Sequence, residues 1–260
     1  MYRNTNCMLQ AHRGVCTEAP ENTMAAYRLA VAQGYDIIEF DPKCTKDDVW
    51  VVHHDMALNR TCRVAGKEIA EPNADIRDYT YEELADMDVG EWYAPEFAGE
   101  RIPTLSQVLD YLRGQGIEGK IDNVFERFSA GQQKLLFDVV EKHADTTKVG
   151  LTSTKVKFLE QYGARFPKAP LHYDGDVDEE TLDKLKAIAD GHVVTVWMHM
   201  GTSMVSWCKR PPVSPEMAAA IKARGFKLGI WILGDDEEMA RALAAGADVV
   251  ETTGGIKPQA

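Results

Sequence analysis

The residues best able to do chemistry stand where apolar runs end in the first half of the chain. His12-Arg13-Gly14 follows CMLQA, Glu39-x-Asp41 closes IIEFD, His53-His54-Asp55 closes VWVVHHD, and Asp122 stands inside GKIDNVF. Glu39 and Asp41 are two apart on an expected strand, so their side chains point to one side. Two carboxylates facing the same way repel unless a cation lies between them or one is protonated. With Asp122 from the next strand they would form a hard oxygen site, suited to Mg2+ or Ca2+ and poorly suited to zinc. A solvated surface pair is the plainer reading of E-x-D, but the apolar context IIEFDP argues against exposure.

Imidazole can act as base or acid near neutral pH, and cleavage of a phosphodiester needs both: a base for the attacking hydroxyl and an acid for the leaving alkoxide. His12 and His54 are the candidates for that pair. Each could instead be a hydrogen-bonded core histidine, and His53 could be the functional member of its pair. Arg13 and a metal would offset charge on the nonbridging oxygens.

Positioning these groups requires a sheet whose strand ends meet at one face. Eight apolar runs recur along the chain, at residues 7–12, 37–41, 119–125, 148–153, 169–174, 193–198, 227–233 and 249–253. Continuous runs of this kind suit strands buried on both faces, as in a parallel sheet. Helices with clear punctuation lie between them. Thr104 opens a capping box with Gly114 or Gly116 at its far end, Ser214–Pro215 starts a helix closed by Gly225, and Asp235 or Asp236 starts one closed by Gly246. This alternation predicts a (β/α)8 TIM barrel, with a doubly wound open sheet as the structural alternative. A ninth strand-like run at 49–55 is joined to the second by the short TKDD, too short for a parallel crossover, so an antiparallel excursion is expected there. Residues 56–100 hold one good helix, opened by a capping box at Thr80, and read as an insertion on the active-site side of a single 1–260 domain.

The net charge of −12 argues against binding nucleic acid, which needs clustered Lys and Arg, and against anionic membrane surfaces. A small anionic substrate would therefore need a local cation. The five cysteines show neither CxxC pairs nor zinc-like spacing, and their odd count suggests free thiols in a reducing compartment. With no apolar leader in MYRNTNCMLQ and no run long enough to span a bilayer, a cytoplasmic location is expected. Nothing in the sequence speaks to oligomeric state.

The segments AHRGVCTEAPENT, IIEFDPKCTKDDVWVVHHD and MALNRTC resemble the HRG…PENT, E-x-D and HD…L-x-R-T blocks of glycerophosphodiester phosphodiesterases. YTYEELADMD, ERIPTLSQVL and GIWILGDDEEMARALAAGADVVETTG extend the resemblance over nearly the whole chain. It implies a (β/α)8 barrel with a small insertion after the second strand. It also implies His12 and His54 as the acid–base pair, Glu39 and Asp41 as ligands of one divalent cation, Arg13 as a phosphate contact and Trp231 as a wall of the glycerol pocket. The implied reaction releases an alcohol and sn-glycerol 3-phosphate through a cyclic phosphate.

The third strand departs from the family's E-x-K. Asp122 falls where the metal-binding Glu is expected and Val124 where the phosphate-binding Lys is expected, leaving Lys120, one pleat lower, as the nearest replacement. A rival register uses Glu118-Gly-Lys120 and shortens the preceding connection by about four residues. The last strand reads VETTG in place of a T-D pair, and Trp197 and His199 could face the pocket. Two other functions stand beside hydrolysis of glycerophosphodiesters: a barrel that binds phosphate ligands without turnover, and a lysophospholipase D-like enzyme.

Overall fold

A computed structural model of the chain describes residues 6–122 and 125–258. Each barrel strand is three to seven residues of apolar chain, short enough to be buried on both faces. In chain order the strands are β1 (Met8–Ala11), β2 (Ile37–Phe40), the short β3 (Pro42–Cys44), β4 (Trp50–Val52), β5 (Arg63–Val64) and β6 (Lys67–Glu68), then β7 (Glu118–Ile121), β8 (Val149–Ser153), β9 (Leu171–Tyr173), β10 (Val194–Met198), β11 (Lys227–Leu233) and β12 (Val249–Thr252). Eight of them close a parallel barrel in the order β1-β12-β11-β10-β9-β8-β7-β2, so the first and last strands are hydrogen-bonded neighbours. The open-sheet alternative is thereby excluded.

The helices are α1 (Met24–Gln33), α2 (Tyr81–Ala85), α3 (Leu105–Gln115), α4 (Ala130–His143), α5 (Val156–Arg165), α6 (Glu179–Ala187), α7 (Pro215–Ala223) and α8 (Asp236–Ala244). Their starts follow the local chemistry. Thr104 and Thr80 form reciprocal capping boxes with Gln107 and Glu83, and Ser214 and Asp235 cap helices that begin at Pro215 and Asp236. Gly116 closes α3 in the left-handed region, as a glycine there can without a steric penalty. Seven helices alternate with the eight barrel strands, and no helix follows β12 among the described residues.

The antiparallel excursion is β3 paired with β4, with Lys43 opposite Val51. Between β4 and α3 the chain builds a core of its own, in which Leu58, Ile76 and Leu84 are fully buried. The third barrel strand is shorter than its apolar run. It ends at Ile121, and Phe125–Arg127 form a 3-10 turn in which Phe125 is buried, so hydrophobicity there reports burial and not strand. Val124, the position expected to lack the family lysine, lies outside the described residues.

Candidate active site

Glu39, Asp41 and Asp122 meet at the mouth of the barrel, with one carboxylate oxygen from each lying within 4.8 Å of the others. Register explains the meeting. Lys120 lies opposite Glu39 and the Asp122 N–H donates to the Phe40 carbonyl, which brings Asp122 level with the end of β2. Glu118 lies opposite Ile37 at the start of the strand, with Lys227 and Lys148 as the cations acting on it, at the other end of the barrel.

The turn after β1 aims the backbone at this trio. Arg13 and Gly14 both have positive φ, and a Cβ on Gly14 would stand 2.6 Å from that of Ala26, so only glycine fits there. The Arg13 N–H donates to Glu39 Oε2 at 2.8 Å, and the Arg13 guanidinium lies 3.4 Å from Asp41 Oδ2. Asn22, also left-handed, donates to Asp41 at 2.8 Å while accepting from the Tyr27 hydroxyl at 2.8 Å. Burial, then the charges of Asp41 and Asp122, push the Glu39 carboxyl well above its ordinary range. Burial would raise Asp41 too, but Lys43 and Arg13 beside it hold that carboxyl well below the usual range.

His12, Arg13, His54, Lys120, Asp122 and Trp231 line one open cleft of about 340 Å3, whose wall is completed by Arg127, Asp174, Trp207, Arg210, Ile232 and Glu251. Burial lowers His12 to about 4, so its imidazole is neutral at physiological pH. The His54 Nδ1 is hydrogen-bonded to Asp55 Oδ1 at 2.6 Å, and Arg60 donates to the other Asp55 oxygen at 2.6 Å. His53 points inward, with both ring nitrogens engaged at 2.7 Å, one by the Asp55 carbonyl and one by the Thr61 hydroxyl. Of the two adjacent histidines, His54 is thus the one in the cleft. Trp197 is fully buried and donates to His172, and His199 is tied to the Arg210 carbonyl and the Gly201 N–H.

The sequence profile of the Glycerophosphoryl diester phosphodiesterase family matches residues 12–252. The chain belongs to this family. It is similar to a glycerophosphodiester phosphodiesterase of Caldanaerobacter subterraneus subsp. tengcongensis, at 29% identity over 93% of this chain and 92% of that one. Among solved structures it resembles a phosphodiesterase of Oleispira antarctica in complex with the product sn-glycerol-3-phosphate, with TM-score 0.76 at 21% identity over 95% and 93% of the two chains. A glycerophosphodiester phosphodiesterase of Agrobacterium tumefaciens superposes with TM-score 0.67 at 22% identity over 95% and 96%. The family is one of phosphoric diester hydrolases, and this member is an enzyme of that class.

In this glycerophosphoryl diester phosphodiesterase family member, Glu251, Asp174 and Arg210 line the same cleft, though the sequence did not single them out. Glu251, on β12, accepts from Gln10 Nε2 and from Lys120 Nζ (2.9 Å), and its second oxygen lies 3.8 Å from His12 Nε2. Its signal was present: a carboxylate inside the apolar VVETT is the same kind of anomaly as Glu39 in IIEFD. Lys120 is therefore engaged internally, its ammonium held charged by Glu251 despite burial and set 4.1 Å above the Trp197 ring. Trp231 stacks on Trp207 at 5.7 Å and donates to Asp174, which Arg210 grips at 2.6 Å. Burial raises Asp174 to about 6. Nothing about the KRPP loop in the sequence pointed Arg210 toward this cleft.

Proposed function

We propose that the chain hydrolyses glycerophosphodiesters to an alcohol and sn-glycerol 3-phosphate, with His12 and His54 as the acid–base pair and one divalent cation, Mg2+ or Ca2+, held by Glu39, Asp41 and Asp122. The observation carrying this reading is the convergence of three carboxylates with two cleft histidines and Arg13 at one barrel mouth. The donor set suits a hard cation: all three donors are oxygens, and burial with the nearby acids pushes the Glu39 carboxyl up, a repulsion that a bound cation would relieve. When bound, such an ion offsets charge on the nonbridging phosphate oxygens.

His12, neutral because it is buried, accepts the proton of the neighbouring glycerol hydroxyl as that oxygen bonds to phosphorus. His54, oriented by Asp55, donates a proton to the alcohol oxygen as its bond to phosphorus breaks. Water then opens the cyclic phosphate with the roles reversed, His54 accepting the water proton and His12 returning one to the glycerol oxygen. Arg13 contacts the phosphate, Lys120 adds its charge from the cleft floor, and Trp231 walls the glycerol. This chemistry is assigned to a single barrel domain with an insertion at about 56–100, and the five free cysteines support a reducing, cytoplasmic setting. The test is product release from a panel of glycerophosphodiesters. The expected result is sn-glycerol 3-phosphate that disappears in EDTA and returns with Mg2+ or Ca2+. Full activity in EDTA removes the cation from the reading, and no release from any diester removes the hydrolysis.

A further inference from the structure

Lys43 is a buried cation that the reaction above does not use. It follows Asp41 by two residues along extended chain, so Glu39, Asp41 and Lys43 share a face. Its side chain is 2% exposed, and its Nζ is buried without a hydrogen-bond partner among the described residues. Taking an ammonium out of water without a hydrogen bond is costly and persists only where nearby opposite charge offsets it. Burial pushes the Lys43 ammonium below its ordinary range, against which Asp41, Asp122 and Glu39, in that order, hold its charge, with Arg127 opposing them. Two other cations also reach this cluster, but each has a partner: Lys120 bonds Glu251, and Arg13 lies against Asp41 and Glu21. Lys43 does not line the cleft, so it acts on the cleft through its field and not by contact.

We propose that Lys43 sets the charge of the carboxylate site, a fixed internal cation that fits the trio to a divalent ion and helps retain phosphate beside it. Of the three charges the trio can carry, the Lys43 ammonium offsets one and the Arg13 guanidinium, 3.4 Å from Asp41, part of another, which leaves a negative charge within reach of a divalent ion. Without Lys43 the site would be one charge more negative and would favour ions of higher charge. A like charge held near the site weakens every cation in proportion to that cation's valence, and it strengthens every anion.

The inference rests on the proposed metal site, and binding to the full-length protein tests the two separately. In Lys43→Met, the dissociation constant for Ca2+ is expected to fall by about tenfold or more, and that for Tb3+ to fall by a larger factor. Inorganic phosphate, titrated into chelated protein, should bind several-fold more weakly. A residue that only packs would move these three affinities in one direction or not at all. Lys43→Gln should repeat the pattern. Apoprotein of either variant that melts lower than wild type but recovers with Ca2+ supports the proposal, because the ion then supplies the missing charge. Equal gains for Ca2+ and Tb3+, unchanged Ca2+ affinity, or loss of fold in both variants with Ca2+ present would overturn it. Wild-type protein that binds neither ion would instead overturn the metal site itself.

Discussion

At the scale of single residues, two imidazoles in one cleft are held in different states by different surroundings. His12 is 14% exposed and set beside Glu251, whereas His54 is 38% exposed and anchored on Asp55. His12→Ala and His54→Ala are each expected to lower kcat by about 100-fold or more. The double variant should lose less than the product of the two, since groups acting as a unit are not additive. His53→Ala should leave kcat near wild type at temperatures where the variant is folded. A further prediction concerns stability. Burial holds His12 near 4 against an ordinary 6.5, so between those values the unfolded chain binds a proton that the folded chain does not. Stability then rises with pH across this window and is lost as pH falls from 6.5 toward 4, by about 3 kcal/mol from this residue. Urea unfolding of chelated His12→Asn at both ends of the window should show a correspondingly shallower loss than wild type. His12, Glu39 and Asp41 were legible because polar residues closing apolar runs are anomalous. Asp174 and Arg210 were not, because their pairing depends on two loops meeting in space.

At the scale of elements, the third barrel strand decides which acid belongs to the site. Glu118 and Asp122 stand at opposite ends of β7, and four residues of strand span about 13 Å, too far for both to reach one ion. Asp122→Asn should abolish Ca2+ binding and activity, whereas Glu118→Gln should change neither measurably in titration calorimetry and product assay. A Glu118→Gln variant that lost its metal would reverse the register. Element identity was well marked in the sequence, because caps and glycines act within a turn or two of chain, as at Thr80, Thr104 and Ser214. Element length was less well marked. Phe125 extends an apolar run yet belongs to a 3-10 turn, since burial and strand geometry leave the same hydrophobic trace.

At the scale of the whole molecule, a polar network crosses the interior of the closed barrel. Lys120 on β7, Gln10 on β1 and Glu251 on β12 are joined through one carboxylate. Removing one partner of a buried pair leaves the other charge uncompensated, so Lys120→Met and Glu251→Gln should each destabilise by about 3–5 kcal/mol. The double variant should cost less than the sum, with the coupling read from urea denaturation of all four proteins. Eight strand runs could be counted along the sequence, but that the eighth pairs with the first could not, because closure is a property of the complete sheet. That closure has a consequence for how the protein comes into being. Gln10 and Glu251 are 241 residues apart, and the His12 N–H finds its acceptor on Thr252. On the ribosome, the strand made first waits with one edge unpaired until the strand made last emerges, and an unpaired edge is where nascent chains stick to one another. A message cut short anywhere before β12 yields no partial enzyme: the histidine is present early, but the wall it rests on belongs to the eighth and last strand of the barrel.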